Sequence, residues 1–191
     1  MLKRFFAIIL SIILTATLAV SMVGCGCGVE EAEAIILVKD LVSRSYELNV
    51  VYYGEGLEYE ESGNPDQLYL RARTGQELAS KTELMKRTRE VFSKNLAESM
   101  INTAFSGVSS DPSLGSVQSR YALQGDPDWI YVNKDYEPVV EKAAVYNYDT
   151  IVITKTSGSF IEATIETVEG KLVEVTLILE DDCWRLDSIT C

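Results

Sequence analysis

The stretch from Ile161 to Leu177 constrains the fold more than any other part of the chain. Ile161, Ala163 and Ile165 alternate with Glu162, Thr164 and Glu166; Val173, Val175 and Leu177 alternate with Glu174 and Thr176. A period of two places the two sets on opposite sides of an extended strand, so one side is buried and the other wetted. Glu169-Gly170 stands between the runs, and glycine accepts the positive φ that a tight hairpin turn demands. Antiparallel pairing then sets Ile161, Ala163 and Ile165 against Val173, Val175 and Leu177. Such a hairpin needs a second layer over its apolar side.

Helices upstream can supply that layer. From Glu31 to about Tyr53, Ile35, Val38, Val42, Tyr46, Asn49 and Tyr53 recur at steps of three or four, with Lys39, Arg44 and Glu47 off the stripe. Ser80-Lys81-Thr82-Glu83 fits a capping box, in which the Ser80 hydroxyl and the Glu83 carboxylate satisfy each other's exposed amides. It opens one helix, or two abutting ones restarted at Ser93 or Asn95, over 81–105. A strand spans 67–73, with Leu68, Leu70 and Ala72 alternating, and a Gly/Ser/Asp/Pro loop covers 106–116. Further strands fall near 117–123, 129–134, 142–155, 159–168, 171–180 and 183–190. Helices first and an antiparallel meander after argue for an α+β fold, its N-terminal helices packed on one face of one curved antiparallel sheet.

Lys3 and Arg4 are the only charges before Glu30, and the nineteen residues Phe5 to Val23 are all apolar, Ser or Thr. A positive start followed by an apolar run is the layout of a secretory signal; the run is also long enough to span a bilayer. Met22-Val23-Gly24-Cys25 resembles the bacterial lipobox. That resemblance implies cleavage before Cys25, a diacylglycerol on its sulfur and an acylated new N-terminus. The chain then divides into a lipoprotein signal peptide (1–24), a tether (25–32) and one α+β domain (33–191). The alternative is an uncleaved anchor helix. Either way Lys3 and Arg4 stay inside, so the domain is held at the extracytoplasmic face of the cell membrane.

The chain contains no histidine. Ser-His-Asp and Cys-His catalysis and imidazole-based zinc sites are therefore closed to it, and no catalytic residue, metal or cofactor is assigned. Taking Lys3 and Arg4 from 17 basic residues leaves 15 against 29 acidic ones, a mature net charge of −14. So acidic a domain is unsuited to nucleic acid, whose phosphates demand Lys and Arg. Cys183 and Cys191 lie eight steps apart; at about 3.3 Å per step they would be on the order of 26 Å apart in a strand, too far for a disulfide unless the tail folds back.

Between Gly54 and Asp66 the breakers Gly54, Gly56, Gly63 and Pro65 exclude regular helix. Glu55, Glu58, Glu60, Glu61 and Asp66 gather there. They form either a contact patch for a basic groove on a partner or a solvated loop; the stretch lacks the ligand order of an EF-hand. Asp126-Pro127-Asp128 and Asp181-Asp182 could present paired carboxylates, but both stand at turns, where Asp is favoured for geometry alone. Tyr46, Tyr52, Tyr53, Trp129 and Trp184 either line a ligand pocket or pack the core.

Three segments carry a family resemblance. They are Leu41 to Leu57, ending Tyr52-Tyr53-Gly54-Glu55-Gly56-Leu57; Leu68-Tyr69-Leu70-Arg71 running on to Ser80-Lys81-Thr82-Glu83-Leu84 and Val91-Phe92-Ser93-Lys94-Asn95-Leu96-Ala97; and Val175 to Arg185 through Asp181-Asp182-Cys183-Trp184. Trp129-Ile130-Tyr131-Val132 fits between them. In this order they resemble the IseA family of secreted and lipid-anchored inhibitors of D,L-endopeptidases, within the nuclear transport factor 2-like superfamily. The resemblance implies a cone-shaped, cystatin-like sheet. It also implies a non-enzymatic inhibitor whose partner is a cysteine endopeptidase of the cell wall. It fixes no inhibitory residue. A second reading is a pocket protein of the same superfamily that binds a small molecule or peptide through Tyr46, Tyr53, Trp129 and Trp184.

Overall fold

The structure, a computed structural model, describes residues 28–106, 119–125, 127–140 and 142–191. Segment 1–24, Cys25, Asp126 and the serine-rich stretch 108–116 lie outside the described residues. The described chain runs α1 (Glu31–Tyr52), β1 (Tyr69–Arg71), a 3-10 turn (Glu77–Ala79), α2 (Lys81–Val91), α3 (Lys94–Ser106), β2 (Tyr121–Leu123), β3 (Ile130–Asn133), β4 (Tyr146–Thr156), β5 (Phe160–Thr167), β6 (Leu172–Glu180) and β7 (Cys183–Leu186).

The strands form two separate antiparallel sheets, β1-β3-β2 and β4-β5-β6-β7. The expectation of a single curved, cone-shaped, cystatin-like sheet is therefore wrong: the protein is α+β with two sheets, neither curved nor closed. The meander breaks between Asn133 and Tyr146, where no strand forms and Pro138 has no amide to give a ladder. β3 takes its second neighbour from upstream, β1, pairing Leu70 with Val132 and Arg71 with Tyr131. Alternation marks a segment as a strand without naming its partner, and that is why the sheets merge in a reading of the sequence.

The second sheet is the hairpin and its flanks. Ile161, Ala163 and Ile165 pair with Leu177, Val175 and Val173. The β6–β7 turn is Asp181-Asp182, with φ of 49° and 59°, the left-handed pair that a two-residue hairpin turn needs and that Asp tolerates. β7 stops at Leu186 rather than 190. Beyond it the Thr176 amide donates to the Ser188 hydroxyl at 3.0 Å, and the chain turns toward α1.

α1 lies on the inner face of this sheet. Val38, Leu41 and Val42 are buried with Ile161, Ile165, Val175, Leu177 and Leu186. The buried stripe differs from the expected one at Tyr46: Ser45 and Leu48 point inward, whereas Tyr46 is 46% exposed. A polar seam explains the difference. The Thr190 hydroxyl meets the Ser45 hydroxyl at 2.8 Å, and the Asn49 amide donates to the Thr190 carbonyl at 2.6 Å. The Ser45 and Thr190 hydroxyls and the Asn49 amide nitrogen satisfy one another, whereas Asn49 Oδ1 is buried without a hydrogen-bond partner among the described residues.

Ser80 caps α2 by accepting the Glu83 amide. The reciprocal half of the expected box is absent. The Glu83 carboxylate faces Lys86 at 3.3 Å, while Ser80 donates to Asp128 at 2.6 Å. Two helices abut, and Ser93 is the joint. Its amide donates to the Leu186 carbonyl at 2.7 Å and its hydroxyl accepts the Leu96 amide.

Candidate functional site

The acidic segment is built onto the first sheet. Tyr59 pairs antiparallel with Ala72. The Glu60 amide donates to the Arg71 carbonyl at 2.9 Å, and the Arg73 amide donates to the Glu58 carbonyl at 2.8 Å. The Gln76 side chain clamps the same turn of chain, accepting the Glu58 amide at 3.0 Å and donating to the Glu58 carbonyl at 2.8 Å. What reads as a breaker-rich loop is thus a short arm laid beside β1. Its tip is ordered locally: the Asp66 amide donates to the Asn64 side chain, and Lys134 donates to the Pro65 carbonyl at 2.6 Å.

Alternation sorts the arm's side chains. Tyr59 packs on the core beside buried Ala72, so Glu58 and Glu60 project from the opposite, outer face. Arg73 bridges Glu58 at 2.6 Å. Glu60 accepts from the Thr74 hydroxyl at 2.7 Å. Its carboxyl is held below the ordinary range by the Thr74 hydroxyl and amide and then by Arg71 and Arg73. Both ion-paired partners are well exposed, so water screens most of the attraction. Glu55, Glu61 and Asp66 are exposed and make no ion pair within 4 Å among the described residues. The five carboxylates sit on one arm but in two roles: two are engaged internally and three face solvent.

The root of the arm is a buried cation. Arg120 is 3% exposed. Its guanidinium donates to the carbonyls of Gly54 and, at 3.4 Å, Tyr52, and its Nε donates to the Tyr121 hydroxyl at 3.2 Å. Tyr121 donates in turn to the Val51 carbonyl at 2.6 Å. The Val51 and Tyr52 carbonyls are among those that the end of the helix leaves without partners, at the negative pole of its dipole, and Gly54 stands two residues beyond the helix. The Tyr136 ring lies 5.0 Å from the guanidinium carbon. Two carbonyls, a hydroxyl and an aromatic face replace the carboxylate that a buried charge ordinarily needs, and a planar fork suits them better than an ammonium. The chain leaves α1 around this group through Gly56, at φ +85°.

Across the outer face, the Arg71 guanidinium lies 4.5 Å from the centre of the Trp129 ring. The Trp129 indole donates to the Ala72 carbonyl at 3.0 Å. Tyr131, paired with Arg71, is half-buried on the same side.

The four aromatic residues proposed for a pocket do not converge. Tyr46 borders a surface depression of about 310 Å³ with Val50, Glu55, Lys142, Ala143 and Val145. Tyr53 is half-buried and tilted against Tyr52, ring centres 6.5 Å apart; burial pushes its hydroxyl up to about 12. Trp129 belongs to the first sheet and Trp184, opposite Leu179, to the second. A depression of about 560 Å³ between Lys39, Tyr148 and Glu166 takes in none of the four.

The paired aspartates have structural work. Asp128 accepts the Ser80 hydroxyl and, at 2.7 Å, the Thr82 amide; these bonds hold its carboxyl below the ordinary range. Asp181 and Asp182 are exposed turn residues. Cys183 is an exposed thiol and Cys191 a half-buried one, each unpaired. Among the described residues no group of three Asp, Glu or Cys side chains is placed to hold a metal ion, and no helix is long and apolar enough to cross a membrane.

Sequence reasoning missed Arg120 and the Arg71–Trp129–Tyr131 face. The only signal for the first was a lone arginine entering an apolar strand, together with the two glycines of Gly54-Glu55-Gly56. Comparison with models of known protein families finds no match, and comparison with curated proteins finds none either.

The wrap of Gly56 around Arg120 has a testable consequence. A Cβ on Gly56 would stand 2.5 Å from the Arg120 guanidinium nitrogen at a positive φ. Gly56→Ala should cost about 1–3 kcal/mol in urea unfolding. Gly63→Ala, with open space around it, should change stability by less than about 0.5 kcal/mol.

Proposed function

We propose that this protein is a lipid-anchored, extracytoplasmic and non-enzymatic inhibitor of a peptidoglycan D,L-endopeptidase, and that it engages a basic groove on the enzyme through the acidic arm. The observation that carries the reading is the arm's hydrogen bonding to β1 and Gln76. A segment already held in one conformation loses little entropy on docking. Its three solvent-facing carboxylates, Glu55, Glu61 and Asp66, supply charge that speeds encounter with a basic surface and selects against acidic ones. The lack of histidine and the structural employment of Asp128 and Asp181-Asp182 support a gripping role over a cleaving one.

The lipid on Cys25 acts as a leash. From Cys25 to Gly28, which already lies against Thr156 and Ser157, three residues reach on the order of 10 Å at full extension. That keeps the domain close to the membrane, while its negative charge holds it off anionic headgroups.

The full chain in detergent should slow wall digestion by a purified D,L-endopeptidase. The triple change Glu55→Lys, Glu61→Lys, Asp66→Lys should lower the association rate about tenfold or more at low salt and flatten its salt dependence. Cys25→Ser should abolish fatty-acid labelling and leave inhibition in solution intact. Undiminished digestion across a panel of such enzymes would refute the inhibitor reading.

A further inference from the structure

The outer face of the first sheet, from which Glu58 and Glu60 of the arm project, carries a cluster of different chemistry at its centre. Arg71, Trp129 and Tyr131 stand side by side there, with Tyr69 on the same side two residues before Arg71. Charge cancels at this centre, since Glu58 bridges Arg73 and Glu60 lies under the field of Arg71 and Arg73. A centre without net charge loses water more readily than a charged one. Arg71 is exposed, and among the described residues its guanidinium makes no hydrogen bond or ion pair. Its guanidinium carbon lies 4.5 Å from the indole centre, within cation–π reach, and a guanidinium whose donors are not engaged internally can take a carboxylate or a pair of carbonyls. Half-buried Trp129 and Tyr131 beside exposed Arg71 are the residue types in which interface energy concentrates.

We propose that the Arg71–Trp129–Tyr131 cluster is the affinity anchor of the docking face, and that the acidic arm steers but does not hold. The occupant is a protein surface with a basic rim and an acceptor opposite Arg71. The proposal rests on the inhibitor reading and names the endopeptidase as that occupant. Charge argues against a second copy of this chain, because two chains of formal net charge −12 repel one another. The two parts of the face then act on different rate constants. Rim charges set the association rate; the anchor sets the dissociation rate.

Surface-plasmon kinetics of the full chain against a D,L-endopeptidase that it inhibits tests the division. Arg71→Ala and Tyr131→Ala should each weaken binding about tenfold or more, almost wholly through faster dissociation. Arg71→Lys should recover only part of the loss. Trp129→Ala should act in the same direction, and circular dichroism separates its effect from misfolding, since its indole also holds Ala72. Thr164→Ala, on the outer face of the second sheet, should leave binding within about twofold. Folded Arg71→Ala and Tyr131→Ala proteins that bind within twofold of wild type would overturn the anchor and leave the inhibitor reading standing. A dimer of wild type that Arg71→Ala converts to monomer would reassign the face to self-association. Failure of wild type to bind any such enzyme would remove both.

Discussion

Arg120 sits where the two halves of the molecule meet, and the rest of the structure depends on how its charge is satisfied. It precedes β2 of the first sheet and donates to the last carbonyl of α1, Tyr52, and to Gly54 just beyond it, α1 being the helix whose body covers the second sheet. Tyr121, the next residue, adds a bond to the Val51 carbonyl and supports the Leu57 amide at 3.3 Å. One pair of residues therefore closes the helix, fixes the exit of the chain and joins the first sheet to the core of the second. Replacing the guanidinium with an apolar group would take the donor from the Gly54 and Tyr52 carbonyls, each at a cost of about 1–3 kcal/mol.

This joint gives the arm its rigidity. A segment with three glycines and a proline between Gly54 and Pro65 has every local reason to wander. It does not, because its first residues wrap Arg120 and its middle is laddered to β1 and clamped by Gln76. The contacts at the root thus hold the charged tip in one conformation. The hairpin sheet, by contrast, contributes mass and stability. Its outer face alternates Thr164, Glu174 and Thr176 with exposed Val152 and offers no comparable cluster.

Elements whose information is local were legible. The hairpin over Glu169-Gly170, the long first helix and the restart at Ser93 each follow from a period, a turn residue or a cap. Partnership between elements was not legible. Nothing in Leu68-Tyr69-Leu70-Arg71 says that it pairs with a strand some sixty residues downstream, as it does with Val132 and Tyr131, and the single curved sheet failed for that reason. Helix phase was also misjudged at one turn. The expected stripe is right at Val38, Val42 and Asn49 and wrong at Tyr46, where Ser45 is buried instead through its contact with Thr190. At the site, charge was readable and geometry was not. The five carboxylates could be counted, but their division into bonded and solvent-facing sets depends on Arg73, Thr74 and Gln76 meeting the arm from the next strand.

The central claim is that the buried guanidinium holds the arm in place. Amide hydrogen exchange of wild type and Arg120→Met tests it most directly. The account predicts that the Glu60 and Arg73 amides, which bond across the arm–β1 ladder, are strongly protected in wild type. They should lose that protection in the variant, while the Ala163 and Val175 amides of the hairpin keep most of theirs. Exchange of Glu60 and Arg73 at unprotected rates in wild type, or unchanged protection in Arg120→Met, would contradict it.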